Sequence, residues 1–127
     1  MISDKDLRFL QLAMKVALRS SFHKQVGVVF VKGSRVIVEG VNRISHPKYL
    51  EYPGIDGLHY WSLHAEIDAL ARVDDVRRTI VYLYGIKNGH KGNSKPCPLC
   101  FKYLQSRGVR RIVHTTPTGD EAEIVLK

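Results

Sequence analysis

Residues 62–70 read Ser62-Leu63-His64-Ala65-Glu66-Ile67-Asp68-Ala69-Leu70, and residues 95–100 read Lys95-Pro96-Cys97-Pro98-Leu99-Cys100. Each stretch places chemically reactive side chains where a helix is expected to begin. His64 precedes an apolar run, HAEIDALARV over 64–73, that has helical spacing. Cys97 and Cys100 stand at i and i+3, on one face of a first turn, and Pro98 fits there because first-turn amides lack intrahelical partners. The third helix is expected over 97–107, ending before Gly108, a residue suited to a C-cap.

The elements between and around these motifs follow from periodicity. Ser3 and Asp6 form a capping-box pattern with Asp in place of Glu, and Leu7, Leu10, Met14 and Ala17 give a helix over 4–20. Gln25–Val31 and Arg35–Glu39 are β-branched runs joined by Lys32-Gly33-Ser34, a hairpin signal. Gly40–Trp61 shows neither period and reads as a long loop. Thr79–Tyr84 is a strand apolar on both parities, hence central. Residues 85–96 read as a polar loop, Arg110–His114 as a fourth strand, and Ala122–Leu126 as a fifth strand or a short helix. The order α-β-β-α-β-α-β implies an α/β domain with a mixed sheet. An antiparallel hairpin opens it, and the later strands, joined by helical crossovers, run parallel with helices on both faces.

Composition fits one domain over residues 1–127: 44% hydrophobic, 25% charged, no repeat and no linker. The N-terminus is too polar for a signal peptide and no apolar run is long enough to span a bilayer, so a cytoplasmic protein without a membrane partner is expected. Net charge is +8, and the segment Gly85–Arg111 carries seven basic residues and no acid. Such an excess favours a phosphorylated small molecule or a nucleic acid, or else is a solvated basic face.

The two cysteines, in C-x-x-C spacing without a signal peptide, make a metal site or a redox pair. His64 adds a nitrogen donor. Three ligands leave the fourth position of zinc open, which is the arrangement of catalytic rather than closed structural sites. Helix N-termini also favour the thiolates that a metal needs. Glu66, reaching over the same helix end, is placed to move protons to and from a zinc-activated water. A thioredoxin-like pair would leave His64 and Glu66 without a purpose.

H-x-E followed by P-C-x-x-C resembles the signature of the zinc-dependent cytidine and deoxycytidylate deaminase superfamily, complete here at every defined position. The hairpin, Glu39-Gly40-Val41-Asn42-Arg43 and Ser62–Leu70 resemble the deoxycytidylate and tRNA adenosine deaminase branch over most of the chain. The resemblance implies a three-layer α-β-α fold with about five strands and Zn2+ on His64, Cys97 and Cys100. Glu66 becomes the catalytic proton carrier and Asn42 the contact to base or sugar. Ala65, Pro96 and His46 are further implied substrate contacts. The implied reaction is hydrolytic deamination of a cytosine nucleotide, dCMP first, in a homo-oligomer. Deamination of cytosine or adenosine in single-stranded DNA or RNA is the alternative, with a silent zinc-stabilised binding module as a third reading. Lys95 before Pro96 departs from the Glu or Thr usual there, and the longer insert of allosterically regulated relatives is not found. Aromatic residues of the long loop (Tyr49, Tyr52, Tyr60, Trp61) are further candidates for stacking on base or sugar, Lys87, His90, Lys91 and Lys95 for holding a phosphate, and His46 for a phosphate or, with His59, a second metal; packing or solvation is the alternative for each.

Overall fold

The structure, a computed structural model, describes residues 2–44 and 62–126. Helix α1, Asp4–Ala17, starts at the expected capping box. The Ser3 hydroxyl accepts from the Asp6 N–H at 3.1 Å, and the Asp6 carboxylate accepts from the Ser3 N–H at 2.9 Å. Strands β1, Lys24–Lys32, and β2, Arg35–Val41, form the antiparallel hairpin, turning at Gly33 with a positive φ of 67°. A short ladder joins β3, Arg43–Ile44, to β4, Ser62–Leu63. Arg43 and Ile44 therefore belong to a strand and not to the loop expected over 40–61. The remaining elements are α2 (Ala65–Leu70), β5 (Ile80–Lys87), β6 (His90–Gly92), α3 (Pro98–Ser106), β7 (Arg111–Thr115) and β8 (Glu121–Val125).

The main sheet runs β2-β1-β5-β7-β8, with β6 added to the end of β5. β5 pairs antiparallel with β1 and parallel with β7, and β8 closes the edge antiparallel to β7. The expected mixed sheet with the strand at 79–84 in its centre is therefore present, and 122–126 resolves to strand. Helix α2 is shorter than expected, ending at Leu70.

The polar loop expected over 85–96 is corrected by the structure. β5 continues to Lys87, turns through Asn88 and Gly89, both with positive φ (53° and 77°), and returns as β6. Asn-Gly with both residues left-handed is the turn whose twist matches a two-residue hairpin. β6 lies where β7 stops pairing beyond Leu83.

Alternation along the strands builds two cores, which is why the central strands are apolar on both parities. Val28, Phe30, Val81, Leu83 and Ile112 face α2 and α3. Val29, Val31, Tyr82 and Val113 face α1 through Leu10, Ala13 and Val16. α1 lies so close to β1 that a Cβ on Gly27 would sit 2.3 Å from the Ala13 carbonyl oxygen. Among the described residues, no helix is long and apolar enough to cross a membrane.

Asp6 ties α1 to the sheet from inside this second core. Its carboxylate accepts from both terminal nitrogens of Arg111, at 2.8 and 2.9 Å, and from the Tyr82 hydroxyl at 2.7 Å. Burial alone pushes the Asp6 carboxyl up. The donors of Arg111, Ser3 and Tyr82 outweigh it and hold the group well below the usual carboxylate range. Because the folded pKa is depressed, the stabilisation is present above the unfolded pKa of about 3.9 and declines as pH falls through the folded value. Asp6→Asn is expected to lose about 1–3 kcal/mol at neutral pH, because it removes one of the two carboxylates on the buried Arg111 and leaves Glu123 alone to hold the charge. The stability difference from the parent should shrink below about pH 4, as followed by urea unfolding across pH. A difference that stays constant with pH would remove Asp6 from this role.

Candidate metal centre and active site

The two helices that carry the motifs begin at the same end of the sheet. His64 is the N-cap of α2, in extended conformation, and its side chain does not cap the helix. Cys97 is the N-cap of α3, and its sulfur accepts from the Cys100 N–H at 3.4 Å. Cys100 is fully buried, one turn inside α3. The structure brings these three side chains together: His64 Nδ1 lies 3.8 Å from Cys97 Sγ and 3.4 Å from Cys100 Sγ. All donor atoms of the trio fall within 4.8 Å of one another. Zn–S bonds of about 2.3 Å and Zn–N bonds of about 2.1 Å at tetrahedral angles set nitrogen and sulfur about 3.6 Å apart, so the donors fit zinc. Three protein donors leave one coordination position for a small ligand.

Electrostatics favour a cation here. The thiol of Cys97 is held down to about 4, chiefly by the hydrogen bond from Cys100 and secondarily by His64 and the Cys100 N–H, against the opposing effect of burial. Cys100 is pushed far up by its interaction with Cys97 and by burial. One proton thus serves two sulfurs, and a dication displaces it. Glu66 is buried beside them, and burial raises its carboxyl above the ordinary range despite the nearby His64.

Three local devices set this geometry. Gly40 on β2 lets α2 approach so closely that a Cβ there would lie 2.4 Å from the Ala65 carbonyl oxygen. Asp68, buried on α2, accepts from the Val41 N–H at 3.0 Å and pairs with Arg43 and Arg72, locking the helix to the end of β2. Ser94 and Thr115 clasp the segment leading into α3. The Ser94 hydroxyl donates to the Leu83 carbonyl at 2.8 Å, and the Thr115 N–H donates to Ser94 Oγ at 2.9 Å. None of these was singled out from the sequence, although an acid on an otherwise apolar helix signals a buried partner for Asp68.

A cavity of about 390 Å3 opens onto the donors. Ala65, Glu66, His64, Cys97 and Asn42 line it, together with Phe22, His23, Lys24, Val26 and Lys95. His23, to which the sequence assigned no partner, thus stands in its wall. Asn42 is there as expected, but half of its carboxamide is committed. Its oxygen accepts from the Val26 N–H at 2.9 Å, and its nitrogen donates to the Lys24 carbonyl at 2.8 Å. One N–H and one lone pair remain for a ligand. Pro96 is buried and does not line the cavity. His46, His59, Tyr49, Tyr52, Tyr60 and Trp61 lie outside the described residues. Of the basic candidates, Lys95 lines the cavity, Lys91 pairs with Glu121, and Lys87 and His90 are exposed on the β5–β6 hairpin. A larger groove of about 540 Å3, between α1, β2 and α2, is lined by Asn42, Asp68 and three arginines, and none of its lining residues belongs to the donor trio.

An α/β sandwich with a His-Cys-Cys zinc-type donor set at two helix N-termini defines a class. Residues 3–116 match the family model of the cytidine and deoxycytidylate deaminase zinc-binding region, and the chain belongs to that family of zinc-dependent hydrolases. Among solved structures, the dCMP deaminase of cyanophage S-TIM5 in apo form superposes with a TM-score of 0.64 at 19% identity, covering 93% of this chain and 87% of that one. The same cyanophage enzyme in complex with dCMP and dUMP gives 0.58 at 17% identity, covering 88% and 81%. Cytidine deaminase from Burkholderia pseudomallei gives 0.60 at 19% identity, covering 94% and 91%. These likenesses establish the shared fold. Among curated proteins, none matches the chain by sequence.

The donor assignment is checked by metal content. The purified chain is expected to hold about one zinc, and His64→Ala or Cys100→Ala to hold far less after gel filtration, as read by atomic absorption. Chelation should lower the melting temperature of the parent and leave that of the variants nearly unmoved.

Proposed function

We propose that the chain hydrolyses the exocyclic amine of a cytosine nucleotide, dCMP in the first place, to give dUMP and ammonia. The observation that carries this reading is the buried Glu66 carboxyl beside the His64–Cys97–Cys100 donors, in a cavity whose other fully charged lining groups, Lys24 and Lys95, are cationic. Zinc held by that trio makes water a nucleophile near neutral pH. Glu66 is assigned the proton traffic. Its carboxylate takes a proton from the attacking water and places it on ring N3, and then carries the second water proton to the amino group. The new C4–O bond replaces the C4–N bond as ammonia leaves. A carboxyl whose proton affinity is raised by burial suits a group that gains and loses a proton in each cycle.

Phe22 and Val26 offer the pyrimidine an apolar wall, and the free half of the Asn42 carboxamide is assigned to the sugar or base. Charge favours a phosphorylated substrate. Lys24 on β1 lies directly opposite Lys87 on β5, so both side chains leave the same face of the sheet at its open end. Like charges in opposite register repel, and a phosphate relieves that repulsion. A nucleotide is in keeping with the cyanophage relative, whose structure holds dCMP and dUMP, although the cytidine deaminase neighbour is equally similar, so the choice rests on the lysines.

Glu66→Gln is expected to keep its zinc while kcat/KM for dCMP falls about 10²- to 10⁴-fold, measured by ammonia release. Retained turnover would take the proton traffic away from Glu66. The double variant Lys24→Ala, Lys95→Ala should raise KM for dCMP about 10- to 100-fold and leave deoxycytidine unaffected. An equal effect on both substrates would remove the phosphate from this rim.

A further inference from the structure

The basic segment Gly85–Arg111 does not form one face. Lys87 and Lys95 belong to the cavity end, whereas Arg107 and Arg110 lie beyond α3, at the other end of the molecule. Nine helical residues separate Cys97 from Arg107, about 15 Å along the axis. There they meet the segment before β5. The Arg78 N–H donates to the Gly108 carbonyl at 2.8 Å, and the Arg110 N–H to the Thr79 carbonyl at 2.9 Å. These crossed bonds set Arg78, Arg107 and Arg110 side by side, all exposed. The crossing is tight: Gly108 has a φ of 81°, and a Cβ on it would lie 3.0 Å from Arg77 Cγ.

Arg78 itself has a φ of 63°, a left-handed conformation uncommon for a residue with a Cβ. Its neighbours fix that conformation, since the Thr79 hydroxyl donates to the Val76 carbonyl at 2.7 Å. Among the described residues, the side chains of Arg78, Arg107 and Arg110 make no hydrogen bond or ion pair. Arg77 and Arg111 differ, because Arg77 holds Asp75 at 3.0 Å, and Arg111 holds Asp6 and Glu123. Lys32 and Arg35, directly opposed across the β1–β2 hairpin, extend the positive surface at this end of the sheet. A cation at a helix C-terminus complements the helix dipole, which accounts for Arg107 but not for Arg78 or Arg110.

We infer that this end of the molecule is a docking surface for the phosphodiester backbone of a nucleic acid, separate from the nucleotide cavity. Unpaired guanidinium groups present planar forks that match phosphate oxygens. Interfaces between proteins have an apolar or aromatic centre. Here Val125, on the adjoining strand, is the large exposed apolar side chain nearby. A backbone gripped here is not the substrate of the distant donors; it holds the enzyme on a polymer.

The test uses the zinc-loaded full chain and a fluorescent oligothymidylate, whose bases carry no exocyclic amine to hydrolyse. Binding followed by anisotropy should weaken steeply with salt. The triple variant Arg78→Asn, Arg107→Gln, Arg110→Gln is expected to bind about tenfold or more weakly at low salt. The slope of log K against log salt should fall by about 2, as three lost single-strand phosphate contacts dictate. Asn is chosen at 78 because it tolerates the left-handed conformation. Should the triple variant melt early, each single substitution is expected to lower the slope by about 0.7. Unchanged affinity and slope would overturn the inference. So would loss of binding in the Lys24→Ala, Lys95→Ala variant with the arginines intact, which would put the strand at the cavity.

Discussion

The distance between α2 and the hairpin strand before it governs the whole site. With hydrogen alone at Gly40, the first turn of α2 rests against β2; a methyl group would be driven into the backbone at Ala65 and Ala69. His64 and Glu66 are the cap and second residue of that turn, so any tilt that relieved the clash would carry both away from the sulfurs on α3. Interiors are too densely packed to absorb such a shift locally. Asp68 holds the same contact from the polar side, satisfying the Val41 N–H and two guanidinium groups with one carboxylate. The helix is only six residues long, all buried. It is too short to be stable by propensity, so its place is set by packing and by this carboxylate.

The second half of the site depends on a different device. Loop residues before α3 must leave the end of β6 and return over the sheet, and the Ser94–Thr115 pair binds them between β5 and β7. Gly85 permits the return, since a Cβ there would meet the Asn93 carbonyl oxygen at 2.6 Å. The donors thus come from two rigidly anchored helix ends, and spacing fit for a metal exists in the protein's own packing. Preorganisation of this kind is what a site must have if ligand rearrangement is not to accompany each metal-binding event.

Much of this was legible in the amino-acid order. Periodicity located α1, the β1–β2 hairpin and the central β5, because each buries apolar residues at the spacing of its own geometry. H-x-E and P-C-x-x-C located the donors, since chelation demands particular residue types at short spacing. The hairpin at Asn88-Gly89 was legible too and was missed, because a polar composition masked a turn signal that stands in two residues. The Ser94–Thr115 clasp and the bond from Val41 to Asp68 were not legible, as their partners lie 21 and 27 residues apart. Nor does a one-dimensional count of charge say that Lys95 and Arg110 end at opposite poles.

Asn42 shows how far a motif position can be read. The resemblance assigns it to substrate, yet both ends of its carboxamide bond the β1 backbone, at Val26 and Lys24, while its own carbonyl accepts from Ser20 Oγ at 2.8 Å. These bonds stitch the last residue after β2 to the first residues of β1, where the antiparallel ladder would otherwise fray at the cavity mouth. An amide so fixed cannot reorient, so the N–H and lone pair it has left point in directions chosen by the sheet. Rigidity of that sort favours selection: a ligand polar atom either meets the remaining donor and acceptor or strands them, and stranding a partly buried amide costs about 1–3 kcal/mol. The same bonds place Lys24 beside Asn42 in the cavity wall. The structural role of Asn42 thus leaves room for the recognition role proposed for it, because the bonds that hold the strand are the ones that aim the amide.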